Sequence, residues 1–207
     1  MPVVSTAGVD SAVAPVRARP READLLTAAI RLFRQRGYHA TSMEDLAQAL
    51  GMNRGSLYHY IPSKDELLWI VLSHSFDLLD TRVVPILASD CPPVERLRGA
   101  IREHLRVAAD HADELSLIQI ELRSLSADRR AEMIGRRDGY ERLWRDAVAR
   151  GVESGALRPI DVRLAGIGIL SACNWFTQWF RPGGGLDVDE IAERFTDLFL
   201  VGLEARA

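Results

Sequence analysis

The residues best equipped for chemistry lie together in Arg54-Gly-Ser-Leu-Tyr-His-Tyr60, a run with a guanidinium, a hydroxyl, two phenols and an imidazole but no carboxylate. Wound as a helix turn, the run buries Leu57 and turns Arg54, Ser56, Tyr58, His59 and Tyr60 outwards. That face can donate to base edges and phosphates and carries no negative charge to repel them, which suits a DNA major groove. Metal and acid–base chemistry have less to work with. Cys91 and Cys173 stand far apart without zinc-like spacing, and the five His form no i, i+4 ligand pair. His104 with Asp110 is the nearest thing to an acid–base pair, and ordinary helix-surface pairing explains it. With no nucleophile elbow, phosphate loop or paired carboxylates, a helical enzyme is the disfavoured class.

Two short helices must position this run. In the first, Met43, Leu46, Ala47 and Leu50 fall at i, i+3, i+4 and i+7. Thr41 with Glu44 has capping-box spacing. Gly51 can take the positive φ of a sharp exit, and Asn53 is a good N-cap for the second helix. Upstream, Leu26, Ala29, Ile30 and Phe33 form another stripe that ends at Arg36-Gly37-Tyr38. Downstream, Ile61-Pro62 stops the second helix, and Ser63 with Glu66 starts a long one with Lys64 in its first turn, where phosphate is attracted. Many all-α domains join helix pairs through glycine, but these flanks favour a helix-turn-helix. Charge agrees: residues 1–60 hold seven Arg against five acids, a net of +2, so with −3 overall the remainder is −5. A basic reading end on an acidic body is the expected division.

The rest of the chain reads as helices throughout. Residues 1–20 lack helical periodicity and are expected to be a flexible tail. A long helix runs from Ser63 to near Pro85, and a break follows at Asp90-Cys-Pro-Pro93. Three amphipathic helices then extend to about residue 154, the third with an Arg-rich face read as solvated and salt-bridged. Residues 164–180 carry no charge but include Ser171, Asn174, Thr177 and Gln178, and fall short of the ~20 apolar residues of a membrane span. That helix and the last one, about 187–205, have more apolar surface than one core can hide, which predicts a homodimer interface there, aided by Gly166 and Gly168. The fold expected is all-α with about nine helices: a three-helix DNA-binding domain at 21–66 and a regulatory and dimerisation domain at 67–207. No signal peptide is recognisable, so a cytoplasmic location is expected.

Residues 28–68, with Phe33-x-x-x-Gly37-Tyr38, Thr41, Ala47, Gly51, Ser56-Leu57-Tyr58-His59-Tyr60 and Ser63-Lys64-Asp65-Glu66-Leu67, resemble the DNA-binding domain of TetR-family transcriptional regulators. Ile61-Pro62 departs from that pattern. The resemblance implies a dimeric DNA-binding regulator, by default a repressor relieved by a small molecule. Arg54, Gly55, Ser56, Tyr58 and His59 would read bases, and Thr41, Tyr60 and Lys64 would hold phosphates. Gln119-x-Glu121-x-Arg123 and the run from Asn174 through Leu186, followed by Glu190-Ile-Ala and Phe195, are similar to a subgroup controlling fatty-acid, steroid or aromatic-acid breakdown, which implies an acyl-CoA inducer. Phe76, Leu105, Ile118, Leu122, Trp144 and Trp175 are the candidate walls, Asn174 and Gln178 the thioester contacts, and Arg123 and Arg137 the phosphate partners. The alternatives are a regulator of drug efflux sensing an uncharged hydrophobic compound and a helical scaffold without DNA binding.

Overall fold

The computed structural model describes residues 22–201, so the expected tail at 1–20 lies outside the described residues. Among these there are ten α-helices, one 3-10 turn and no strand. The order is α1 (Glu22–Arg36), α2 (Met43–Ala49), α3 (Arg54–Tyr58), α4 (Lys64–Arg82), α5 (Val84–Ala88), α6 (Pro93–Asp110), α7 (Ala112–Glu121), the 3-10 turn (Leu122–Ser124), α8 (Ala127–Glu153), α9 (Val162–Trp179) and α10 (Val188–Val201). The helix beyond the expected nine is α5. Rather than closing the long helix, Pro85 sits in the first turn of α5, where its missing N–H is no loss.

Local chemistry sets the boundaries of the small helices. Asn53 Oδ1 accepts from Ser56 N at 2.7 Å and Ser63 Oγ from Glu66 N at 3.0 Å, so both expected caps form. Gly51 adopts φ +66° at the turn. The capping box of α2, however, is displaced by one residue. Ser42 Oγ accepts from Asp45 N at 3.1 Å while Asp45 Oδ2 accepts from Ser42 N at 2.8 Å. Thr41 is fully buried, and its hydroxyl faces Leu32 O and Gly37 O at 3.3 and 2.9 Å.

Two apolar clusters organise the packing. The first joins α1–α3 and the start of α4 through Phe33, Leu46, Leu57, Leu68 and Leu72, and it also takes in Leu117 from α7, Leu125 just after the 3-10 turn and Met133 from α8. The core beneath the helix-turn-helix is therefore completed by the regulatory part of the chain. The second cluster, around Leu97, Ile101, Trp144, Val148, Ile169 and Phe176, lies among α5, α6, α8, α9 and α10.

The Arg-rich face of α8 is not wholly solvated, as its composition suggests; part of it clamps α4. Arg129 reaches Asp65 at 3.0 Å and also pairs with Glu66. Arg136 reaches Asp77 and Asp80 at 2.7 and 2.6 Å and lies over the Phe76 ring. Gly166 permits close approach within the subunit, since a Cβ there would meet Arg145 Cγ at 2.9 Å, whereas Gly168 has nothing within 4 Å.

α10 turns Ile191, Ala192, Thr196 and Leu200 inwards, leaving Leu198 and Val201 exposed and Phe195 and Phe199 half-buried. On α9 the exposed positions Leu164, Gly168, Ser171, Trp175 and Trp179 follow one helical stripe. No described helix is long and apolar enough to cross a membrane.

Candidate functional site

The second helix of the helix-turn-helix buries Leu57 completely and exposes Arg54, Gly55, Tyr58, His59 and Tyr60, with Ser56 half-buried. Arg54 Nη2 donates to Tyr58 Oη at 3.2 Å, and its guanidinium lies over the Tyr58 ring. The pair restricts both side chains on the exposed face before any partner arrives. Gly55 adds no side chain between that face and a groove.

Two residues expected on phosphates serve the protein interior. Thr41 is buried and bonded internally, as described above. Lys64 Nζ donates to Tyr38 O at 2.9 Å, Thr41 O at 2.8 Å and His39 O at 3.4 Å, and sits 4.4 Å from the Tyr38 ring centroid. An ammonium has three protons to donate. Here three carbonyls of the α1–α2 loop take them, so Lys64 fixes that loop to the start of α4.

A cavity of about 610 Å³ opens between α4, α7, the 3-10 turn, α8 and α9. Six of the residues expected around a ligand line it: Phe76, Ile118, Leu122, Arg123, Arg137 and Asn174. Four do not. Leu105 and Trp144 are fully buried in the second core, Trp175 is 62% exposed, and Gln178 is half-buried with Nε2 donating to Thr177 Oγ1 at 3.4 Å. Lining residues that sequence reasoning missed include Arg130, Ile134, Tyr140 and Gln119. Arg130 and Ile134 could have been found from the i, i+4, i+7 spacing they make with Arg137 on α8. The lining contains three guanidiniums and no carboxylate. Of the three, Arg137 pairs only with its neighbour Asp138, at 2.9 Å.

The segment 118–123 faces two ways. Ile118, Gln119, Ile120, Leu122 and Arg123 line the cavity, while Glu121 is buried against the helix-turn-helix unit. Its Oε1 accepts from Tyr38 N at 3.0 Å, and Oε2 accepts from Ser124 Oγ at 2.7 Å. Ser124 Oγ lies 3.2 Å from His39 Nε2. One wall of the cavity is thus bonded to the loop that carries α2.

Residues 25–69 match the domain described as bacterial regulatory proteins of the tetR family, and residues 90–203 match the tetracyclin repressor-like C-terminal domain. The chain belongs to the TetR family. Among the relatives of this TetR-family regulator is the transcriptional repressor KstR2 of Mycobacterium tuberculosis, 31% identical over 186 residues that cover 88% of this chain and 92% of the relative. The solved structure of that ketosteroid regulator superposes with a TM-score of 0.84 over 91% of this chain and 97% of that one, at 30% identity. AibR, solved with isovaleryl coenzyme A and operator DNA, superposes with a TM-score of 0.79 at 30% identity, covering 85% and 96% of the two chains. PfmR of Thermus thermophilus is 38% identical with a TM-score of 0.80, covering 87% and 98%.

Proposed function

We propose that the protein is a cytoplasmic transcriptional repressor that binds its operator as a homodimer and is released by an acyl-CoA thioester. The observation that carries this reading is the composition of the cavity. Phe76, Leu79, Leu115, Ile118, Leu122, Ile134 and Leu170 supply apolar wall for an acyl chain. Arg123, Arg130 and Arg137 supply cations for the phosphates of coenzyme A. An uncharged drug has no use for three guanidiniums, which favours the thioester over the efflux alternative. The complex of AibR with isovaleryl coenzyme A supports the same assignment.

Dimerisation uses the stripe Leu164, Trp175 and Trp179 on α9 with Leu198 and Val201 on α10, all exposed in the single chain. A twofold pairing there sets two copies of α3 into successive major grooves, ~34 Å apart or a larger helical-repeat spacing. Arg54, Ser56, Tyr58 and His59 read base edges, with Tyr60 on the backbone.

Release works through the wall that faces both ways. Ligand in the cavity displaces 118–123, Glu121 carries the displacement to Tyr38 N, and the α1–α2 loop moves the helix-turn-helix out of register. By linkage the thioester binds the DNA-free state more tightly, with couplings typically of ~1–3 kcal/mol. Selection of fragments from the source genome, with and without octanoyl-CoA, tests this function. A shared twofold-symmetric site that is recovered alone and lost with the thioester is expected. Fragments sharing no site, or a site retained at saturating thioester, would contradict it.

A further inference from the structure

The cavity changes character along its length. Arg130, Ile134, Arg137 and Tyr140 follow one another on the cavity side of α8, and Tyr140 is only 5% exposed. At 1.5 Å rise per residue, Tyr140 lies ~15 Å further along the helix than Arg130. Behind Tyr140 sits a polar nest that packing alone does not require. His104 is fully buried, and its Nδ1 is 3.0 Å from Tyr140 Oη. The Trp144 ring stands edge-on to both, with centroids 6.0 Å from His104 and 6.3 Å from Tyr140. Two buried polar atoms of the nest, His104 Nε2 and Trp144 Nε1, make no well-aligned hydrogen bond among the described residues. Leaving a buried polar atom without a partner costs ~1–3 kcal/mol.

The protonation states are set by burial. It pushes the His104 imidazole down to about 4; the Asn174 carboxamide pulls the other way, without forming a well-aligned bond to Nε2. Burial likewise raises the Tyr140 phenol well above its usual range, against the opposing Trp144 indole. At neutral pH the nest therefore holds a neutral imidazole and a phenol that keeps its proton. With the imidazole proton on Nδ1, His104 donates to the phenolic oxygen. The phenol proton is then left for an acceptor in the cavity.

We infer that Tyr140, positioned by His104, donates a hydrogen bond to the thioester carbonyl of the inducer, and that α8 sets the distance from this carbonyl to the phosphate-binding guanidinium of Arg130. The arm of coenzyme A between pyrophosphate and sulfur has about as many backbone atoms as four residues of peptide, roughly 15 Å when extended. That length matches the interval between Arg130 and Tyr140. Asn174, which also lines the cavity, is the second polar group at this level. Its backbone oxygen is held by Gln119 Nε2 at 2.7 Å, tying α9 to the wall that carries Glu121. The site thereby selects a thioester over a coenzyme A derivative of equal length that lacks the carbonyl.

This inference rests on the acyl-CoA reading, and one titration separates the two. Octanoyl-CoA and the thioether S-octyl-CoA, which differs in lacking the carbonyl oxygen, are bound to the full-length wild-type protein and to Tyr140→Phe by calorimetry. On the wild type the thioester is expected to bind about 5- to 10-fold more tightly, the range of one neutral hydrogen bond. In Tyr140→Phe the two ligands should agree within about 2-fold. Equal binding of both ligands by the wild type, or a preference that survives in Tyr140→Phe, overturns the carbonyl assignment and leaves the acyl-CoA reading standing. Binding of neither ligand overturns both. Should Tyr140→Phe fail to fold, equal binding of the two ligands by the wild type still overturns the assignment.

Discussion

Replacing Glu121 by alanine removes the bond between the cavity wall and the DNA-reading unit. The carboxylate is 7% exposed and accepts two hydrogen bonds, from Tyr38 N at 3.0 Å and Ser124 Oγ at 2.7 Å. Bonds to a charged group contribute ~1.5–3 kcal/mol each, and the Tyr38 amide would be left unpaired. Relief of the buried carboxylate offsets part of this. The net loss of stability is about 2–3 kcal/mol, which for a chain of this length lowers the melting temperature by roughly 4–12 °C. Glu121→Gln keeps an acceptor for Tyr38 N and should lose about half as much. Operator affinity measured with and without octanoyl-CoA reports the coupling. The ratio of the two affinities, typically ~5–150-fold in the wild type, should fall towards unity in Glu121→Ala. A stable Glu121→Ala protein with the wild-type ratio would refute the role given to this wall.

Other consequences concern the remaining elements. Thr41→Val removes the internal bonds of a buried hydroxyl and should cost about 1–2 kcal/mol in urea unfolding, with no change in the salt slope of DNA binding; a reduced slope would return Thr41 to the phosphates. Arg54→Ala should weaken operator binding by roughly 10- to 100-fold in an anisotropy titration and broaden base preference, whereas unchanged affinity would exclude α3 as the reader. Leu198→Glu, at a position 72% exposed in the single chain, should shift sedimentation towards monomer without lowering monomer stability. His104 makes stability pH-dependent. Its folded value of about 4 lies below the usual 6.5, so the unfolded chain takes up the proton first and stability falls as pH drops from about 6.5 to 4, by at most about 3 kcal/mol. The slope in that window should flatten in His104→Gln; an unaltered slope would assign the effect elsewhere.

What was legible in the sequence was local. Asn53, Ser63 and Gly51 act on backbone within four residues of themselves, so their types and spacing suffice to place α3 and the start of α4. The slip from Thr41 to Ser42 shows where such reading stops. Both residues carry a hydroxyl with an acid three positions on, and what separates them is burial against Leu32 O and Gly37 O. The same limit misplaced two tryptophans, which were expected to line the cavity. Periodicity identified α8 as amphipathic and α9 as apolar, but not that Trp144 would fill a core rather than line the cavity, nor that Trp175 would face outwards. Glu121 and Tyr38 are 83 residues apart, and Arg136 and Asp77 59 apart. No local pattern marks such pairs, because they form only once α7 has packed on the helix-turn-helix unit and α8 on α4.

On the proposed function, a coenzyme A thioester bound in the cavity among Arg123, Arg130 and Arg137 releases the protein from DNA. Fluorescence anisotropy of the labelled operator complex, at fixed salt, tests it with octanoyl-CoA, coenzyme A, octanoate and an uncharged octyl compound added separately. Release by octanoyl-CoA alone is expected, with the required concentration raised about 10-fold or more in a variant with Arg123 and Arg130 both changed to alanine. Release by octanoate or the uncharged compound while octanoyl-CoA is inert, or an unchanged titration in the double variant, would contradict it.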